Sequence, residues 1–221
     1  MQKYLAQHAL YSALKQSLFK QRYGQMEWNV VISQGLLTFA RKYNMEIEVL
    51  GSYSAEYQTW LWSWANTGSN FPPEAINIAT KLKSWGETKG IEPFIRPQLN
   101  VDENNQPELL SMLAIGLAKL PAFYKANTGS GFITLLVKTE NTYSIPKMTN
   151  VEFINFITDV ISQIPIAPHK TAVIGFVSKL GWSGKDDGDR IVVKNPSEKS
   201  QISVDFDAMG RITNFSTTIS K

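Results

Sequence analysis

Three tryptophans alternate in the stretch Thr59-Trp60-Leu61-Trp62-Ser63-Trp64-Ala65-Asn66. In a β-strand, successive side chains point to opposite faces. Trp60, Trp62 and Trp64 then share one face, and Leu61, Ser63 and Ala65 the other. Each indole can bury about 150–250 Å². At about 25 cal/mol per Å², the three carry on the order of 10–15 kcal/mol of gross burial energy, comparable to the net stability of a whole domain. Such a face is either the floor of a core or a binding surface, and any fold of this chain has to deal with it.

The flanking segments set it in an antiparallel meander. Residues 3–22 place Leu5, Tyr11, Leu14 and Leu18 at near-helical spacing, with Gly24 as a stop. Met26, Trp28, Val30 and Ile32 then alternate, and Ser33-Gln34-Gly35 turns the chain into Leu36–Ala40, which together read as a β-hairpin. In the next strand Met45, Ile47 and Val49 face one way, while Glu46 and Glu48 face the other, towards solvent. Gly51 is expected to end that strand, and the tryptophan strand returns beside it. Asn70-Phe71-Pro72-Pro73-Glu74 starts a helix with the stripe Ala75, Ile78, Ala79, Leu82 and Trp85. That stripe needs a surface to cover, and the tryptophan face is the nearest one.

Further along, Ile91–Leu99 contains two prolines and reads as extended. Pro107-Glu108 opens a second helix, and residues 123–138 form a hairpin around Asn127–Gly131. The segment 140–148 is the best boundary. Thr149-Asn150-Val151-Glu152 matches a capping box at the start of another helix. Strands are expected near 171–180, 190–194, 201–206 and 211–219, with Asp207-Ala208-Met209-Gly210 as a hairpin turn. The predicted class is α+β: antiparallel β-meanders with amphipathic helices packed on them. Two subdomains are expected: residues 1–140, with the tryptophan strand, and residues 145–221, with one helix and a meander.

Bulk properties narrow the chemistry. With no cysteine among 221 residues, disulfides, thiolate metal sites and cysteine nucleophiles are all removed. No apolar run approaches the roughly 20 residues of a membrane span, and no signal peptide is evident, so a cytoplasmic protein is expected. The net charge of +3 is uneven: Lys3, Lys15, Lys20 and Arg22 put +4 in residues 1–25, and the remainder sums to −1. Without a nucleic-acid motif or an Arg-rich patch, that helix reads as a solvated face, with neither nucleic acid nor membrane as partner.

No reaction motif is present. Gly181-Trp182-Ser183-Gly184-Lys185-Asp186 is too short for a Walker loop. His8 and His169 are the only histidines, too few for a usual zinc site. The acidic turn Asp186-Asp187-Gly188-Asp189 lacks the ligand pattern of a calcium loop. No catalytic residue, metal or cofactor is expected. The candidates for ligand or partner contact are Glu46 and Glu48, as paired carboxylates, and Trp62, Tyr53 and Asn66 around the tryptophan strand. Trp28 and Tyr57 could join an aromatic box.

The segments Glu27-Trp28, Leu50-Gly51-Ser52-Tyr53 and Thr59-Trp60-Leu61-Trp62-Ser63-Trp64-Ala65-Asn66 resemble an uncharacterised family of bacterial proteins. The likeness spans roughly residues 1–140 and is most specific at 59–66, with Gln58 where glycine is expected. It implies a bacterial intracellular protein and carries over no catalytic residue. The expected function is a non-catalytic binding protein whose partner is another protein, for example an immunity-type or accessory protein of bacterial competition or defence. The alternative is a small-molecule binder or hydrolase with a cleft beside the tryptophan strand and Glu48 or Glu46 as base.

Overall fold

The computed structural model describes residues 1–103, 105–139 and 144–219. The fold is α+β with antiparallel sheets. The chain divides into two compact units: Leu14–Tyr143, and Met1–Ala13 together with Ser144–Lys221. Residues 1–13, expected with the tryptophan strand, thus group with the C-terminal segment. Of the expected boundary 140–148, residues 140–143 lie outside the described residues.

The larger unit holds the C-terminal part of helix α1 (Gln2–Tyr23) and a seven-stranded sheet. Strands β1 (Trp28–Val31) and β2 (Leu36–Phe39) form the expected hairpin, and β3 (Tyr43–Ser54) is the branch point. Its first residues pair with β2, and its last four pair with β4 (Thr59–Trp62). Strand β7 (Gly131–Val137) runs along its other side, with β6 (Ala122–Asn127) beyond. Gly51 does not end β3. The strand absorbs a bulge between Val49 and Gly51, and Gly51 makes room for an indole: a Cβ there would lie 2.4 Å from Cζ2 of Trp60.

One face of this sheet is covered and the other is covered over part of its extent, which overturns the expected solvated face at Glu48 but not at Glu46. On one side Phe19 and Tyr23 of α1 pack with Phe39, Met45, Ile47, Val49, Leu135 and Val137. On the other, helix α2 (Asn77–Lys89) packs against β3, and α4 (Pro107–Leu117) against β6 and β7. Glu48 therefore sits at 3% exposure, whereas Glu46, two residues before it, is solvated as expected. Lys15 of α1, read as part of a solvated face, is also buried, and its ammonium group donates to the carbonyl of Leu120.

The tryptophan strand is shorter than its sequence pattern. After Trp62 the chain enters a 3₁₀ turn, Ser63–Ala65, so Trp64 leaves the shared face and lies under the Lys83 ammonium, 4.6 Å from its ring centre. Trp60 and Trp62 are fully buried and meet edge to face at 5.6 Å. The short helix α3 (Glu92–Ile95), in a stretch expected to be extended, closes over them. Phe94 lies 5.1 Å from the Trp62 ring and touches Trp85 of α2 on its own far side. Only Gln98–Asn100 of that stretch is a strand, β5, at the edge beside β4. Helix α2 starts later than expected, because Pro73 holds Pro72 extended and the chain makes a 3₁₀ turn at Pro73–Ala75 first.

In the smaller unit, the capping box of α5 (Asn150–Gln163) forms as read. The Thr149 amide donates to the Glu152 carboxylate at 2.7 Å, and the Glu152 amide donates to the Thr149 hydroxyl oxygen at 3.2 Å. The segment expected as a strand near 171–180 is instead helix α6 (His169–Lys179). Its apolar run Ala172-Val173-Ile174-Gly175-Phe176-Val177 has no period that separates helix from buried strand. Tertiary packing decides: Gly175 meets the backbone of α1 so closely that a Cβ would lie 2.3 Å from the Gln7 carbonyl oxygen. Strands β8 (Ser183–Asp186), β9 (Arg190–Lys194), β10 (Ser200–Phe206) and β11 (Ile212–Ile219) form a four-stranded antiparallel sheet in the order β11-β10-β9-β8. Gly210 takes the positive φ, 73°, that its hairpin requires. The acidic turn is the end of β8 and its connection to β9. Asp186 is held there by Lys170 at 2.7 Å, which lowers its pKa.

His169, at the start of α6, accepts the Ile212 amide hydrogen on Nδ1 at 3.2 Å. This needs a neutral imidazole nitrogen. Partial burial lowers its pKa below the ordinary 6.5, opposed by Asp207 and assisted by Arg211. A depressed folded-state pKa means that the unfolded chain binds the proton more readily. The stability it confers is therefore complete above pH 6.5 and lost as pH falls through the lower folded value. Thermal melts from pH 7.5 to 4.5 are expected to show a decline that His169→Gln reduces; identical profiles would reject the coupling.

Candidate functional site

The structure brings together two of the residues singled out from the sequence. Lys138, just past β7, reaches Glu48 Oε1 at 3.3 Å and Glu46 Oε2 at 3.9 Å. The other Glu48 oxygen accepts the Ile78 amide hydrogen at 2.6 Å. Ile78 lies in the first turn of α2, whose own cap residue, Ile76, supplies no side-chain hydrogen bond. Glu48 thus caps a helix from a neighbouring strand, meeting both a free backbone donor and the positive end of the helix dipole. A carboxylate held on two sides is an anchor, poorly placed to take a proton from a substrate. Beside it, Ile32, Gln34, Ile47, Glu74 and Lys138 are among the residues lining an open groove of about 420 Å³.

The other singled-out residues do not join this pair. Trp62 is fully buried and donates its indole N–H to the Pro93 carbonyl at 2.9 Å, so it belongs to the core. Tyr53 is half-buried against Phe132, 5.0 Å between ring centres. Asn66 caps the 3₁₀ turn Thr67–Ser69, its side-chain oxygen accepting the Ser69 amide hydrogen at 3.0 Å. Tyr57 is exposed in the turn before β4. Gln58, where glycine was expected, adopts a φ of 51°, the left-handed region that glycine enters without cost. Among the described residues, no group of three or more His, Cys, Asp or Glu side chains could hold a metal ion.

The β1–β2 hairpin presents a second surface. Trp28 pairs with Phe39 across the two strands, and its alternation with Val30 is as read. At the sheet margin, however, the residue stays 38% exposed. It is propped from below: Trp28 meets Tyr124 edge to face at 5.5 Å, Tyr124 meets Phe39 at 5.1 Å, and Phe39 stacks on Tyr23. Burial in this ladder raises the Tyr124 pKa. Glu27, Trp28, Asn29, Thr38 and Arg41 line an open depression of about 410 Å³.

The β2–β3 turn holds Ala40 at φ 49° and Arg41 at φ 54°, closed by the Lys42 amide on the Phe39 carbonyl. Two consecutive left-handed residues favour Asn-Gly, and neither residue here is of that type. Such strain is retained where surroundings over-determine it, commonly at contact sites. The sequence pattern places Trp28 on one face with Met26, Val30 and Ile32 and makes it a candidate for an aromatic box. Strand β1 lies at the sheet's edge, pairing with β2 alone among the described strands.

A seven-stranded antiparallel sheet, with the hairpin surface at its margin, is the framework of residues 14–139. The chain belongs to the family of unknown function DUF6882, whose model matches residues 2–139. No curated protein and no solved structure matches it.

Proposed function

We propose that this is a non-catalytic binding protein whose partner is another protein, and that the Trp28 surface anchors that partner. The supporting observation is the partly exposed indole held on an aromatic ladder, with Arg41 lining the same depression as Trp28. Tryptophan, tyrosine and arginine dominate protein-binding hot spots, and an anchor already ordered before binding loses little further entropy. A specific version places it in the bacterial cytoplasm as an immunity-type or accessory protein of competition or defence, bound to a toxin encoded beside it. The alternative, a small-molecule site beside the tryptophan strand, has less support, because Trp60 and Trp62 are buried and Glu48 is engaged by Ile78 and Lys138.

Pull-downs from native lysate with the wild type and Trp28→Ala test the reading. The variant is expected to stay folded and to lose the captured partner. An unchanged captured set would defeat the proposal. Arg41→Gly is expected to raise stability by about 1 kcal/mol, by relieving the left-handed turn, and yet to weaken capture. Denaturation midpoints and binding measured on the same samples separate the two effects.

A further inference from the structure

Strand β11 ends the sheet of the smaller unit, and among the described residues no strand pairs with its outer edge. Exposed edges are usually blunted by charge, proline or a bulge. Ile212–Ile219 (Ile-Thr-Asn-Phe-Ser-Thr-Thr-Ile) has neither charge nor proline. Its one irregularity is at Thr213, which the register with β10 skips. Residues 214–219 therefore form a regular, uncharged, unprotected edge. Phe215 and Thr217 pair with Val204 and Ile202 and so point to the sheet's apolar face, as does Ile219; Ser216 and Thr218 point to the polar one. Ile219 is 79% exposed, and Phe215 only half-buried.

We propose that β11 pairs antiparallel with β11 of a second copy of this chain, about a two-fold axis passing through Thr217. A two-fold axis normal to a sheet keeps each face on its own side, so only registers that match residues of one face are allowed. With Thr217 opposite its own copy, Phe215 of one chain faces Ile219 of the other, twice by symmetry, and Ser216 faces Thr218. The apolar pairs fall on the apolar face and the hydroxyl pairs on the polar face. The paired segment stops short of the Thr213 bulge, and no like charges oppose. Aromatic–β-branched and Thr–Thr cross-strand pairs are favourable ones. Closure into a dimer follows because the contact is isologous. The interface is one strand edge, so the association is reversible and concentration-dependent.

Sedimentation of the full chain over a concentration series is expected to move from monomer to dimer mass. Thr217→Lys, which sets two ammonium groups opposite each other on the axis, is expected to keep the far-UV spectrum and abolish the dimer. Because the chain has no cysteine, Thr217→Cys is expected to cross-link with its own copy under mild oxidation, and Thr213→Cys to do so at least ten-fold less. A wild type that stays monomeric into the high micromolar range, a dimer that survives Thr217→Lys, or equal cross-linking at both positions overturns the proposal. The Trp28 surface lies in the other unit, so partner capture is read independently of these outcomes.

Discussion

Trp62→Ala is expected to destabilise the larger unit by about 3–5 kcal/mol, the range for truncating a large aromatic core side chain. Several losses combine. The indole is fully buried, its ring touches Trp60 and Phe94, and its N–H satisfies the Pro93 carbonyl. Alanine leaves a cavity beside Gly51, whose missing Cβ lets Trp60 lie against the strand. Nearby backbone cannot easily collapse into it, since β3 is held by β4 on one side and β7 on the other. Trp62→Phe is expected to cost less, restoring most of the volume without the donor. Chemical denaturation at constant slope measures both. Trp28→Ala, removing a partly exposed ring at the margin, is the internal contrast and is expected to cost about 1 kcal/mol or less. A loss at Trp62 no larger than at Trp28 would contradict the core assignment.

Glu48→Ala is expected to cost about 2–4 kcal/mol. Removal leaves the Ile78 amide in the first turn of α2 without its acceptor, a penalty of about 1–3 kcal/mol for a buried donor. It also strips Lys138 of its closer carboxylate. Lys138 is itself partly exposed, so water compensates part of that second loss. Glu48→Gln is expected to fall between: the amide oxygen can still accept from Ile78, while the charge facing the helix dipole and Lys138 is gone. Glu46→Ala, two residues away and 67% exposed, is expected to change stability by about 0.5 kcal/mol or less. Equal effects at the two glutamates, measured as shifts in unfolding midpoint, would refute the cap.

These contrasts show where local sequence reasoning succeeds. The capping box at Thr149–Glu152, the Asp207–Gly210 turn, the hairpin around Asn127–Gly131 and the alternation of Met45, Ile47 and Val49 are encoded within a few residues. Each element carries its own hydrogen-bond partners or its own side-chain period. The candidate site was legible only in part. The strand period pairs Glu46 with Glu48 on one face, but cannot tell that only Glu46 reaches solvent. Lys138 carries no local signal of its role, since it lies some 90 positions along the chain from both. Trp28 was read by its alternation, which says which face a side chain takes and not how close that strand lies to the margin.

By itself, the sequence determined the α+β class, most of the strands and helix caps, and the need to bury the tryptophans. Period, turn chemistry and burial energy are properties of short segments. Tertiary structure alone decided that 169–179 coils as a helix against α1, that Trp64 leaves the tryptophan face, and that Glu48 lies under α2. It also decided which edges, at β1 and along β11, stay unpaired among the described strands. The reason is physical: a sheet covered on one face or on two presents nearly the same local pattern. Whether a carboxylate meets water or a helix N-terminus depends on groups brought together only when distant segments pack.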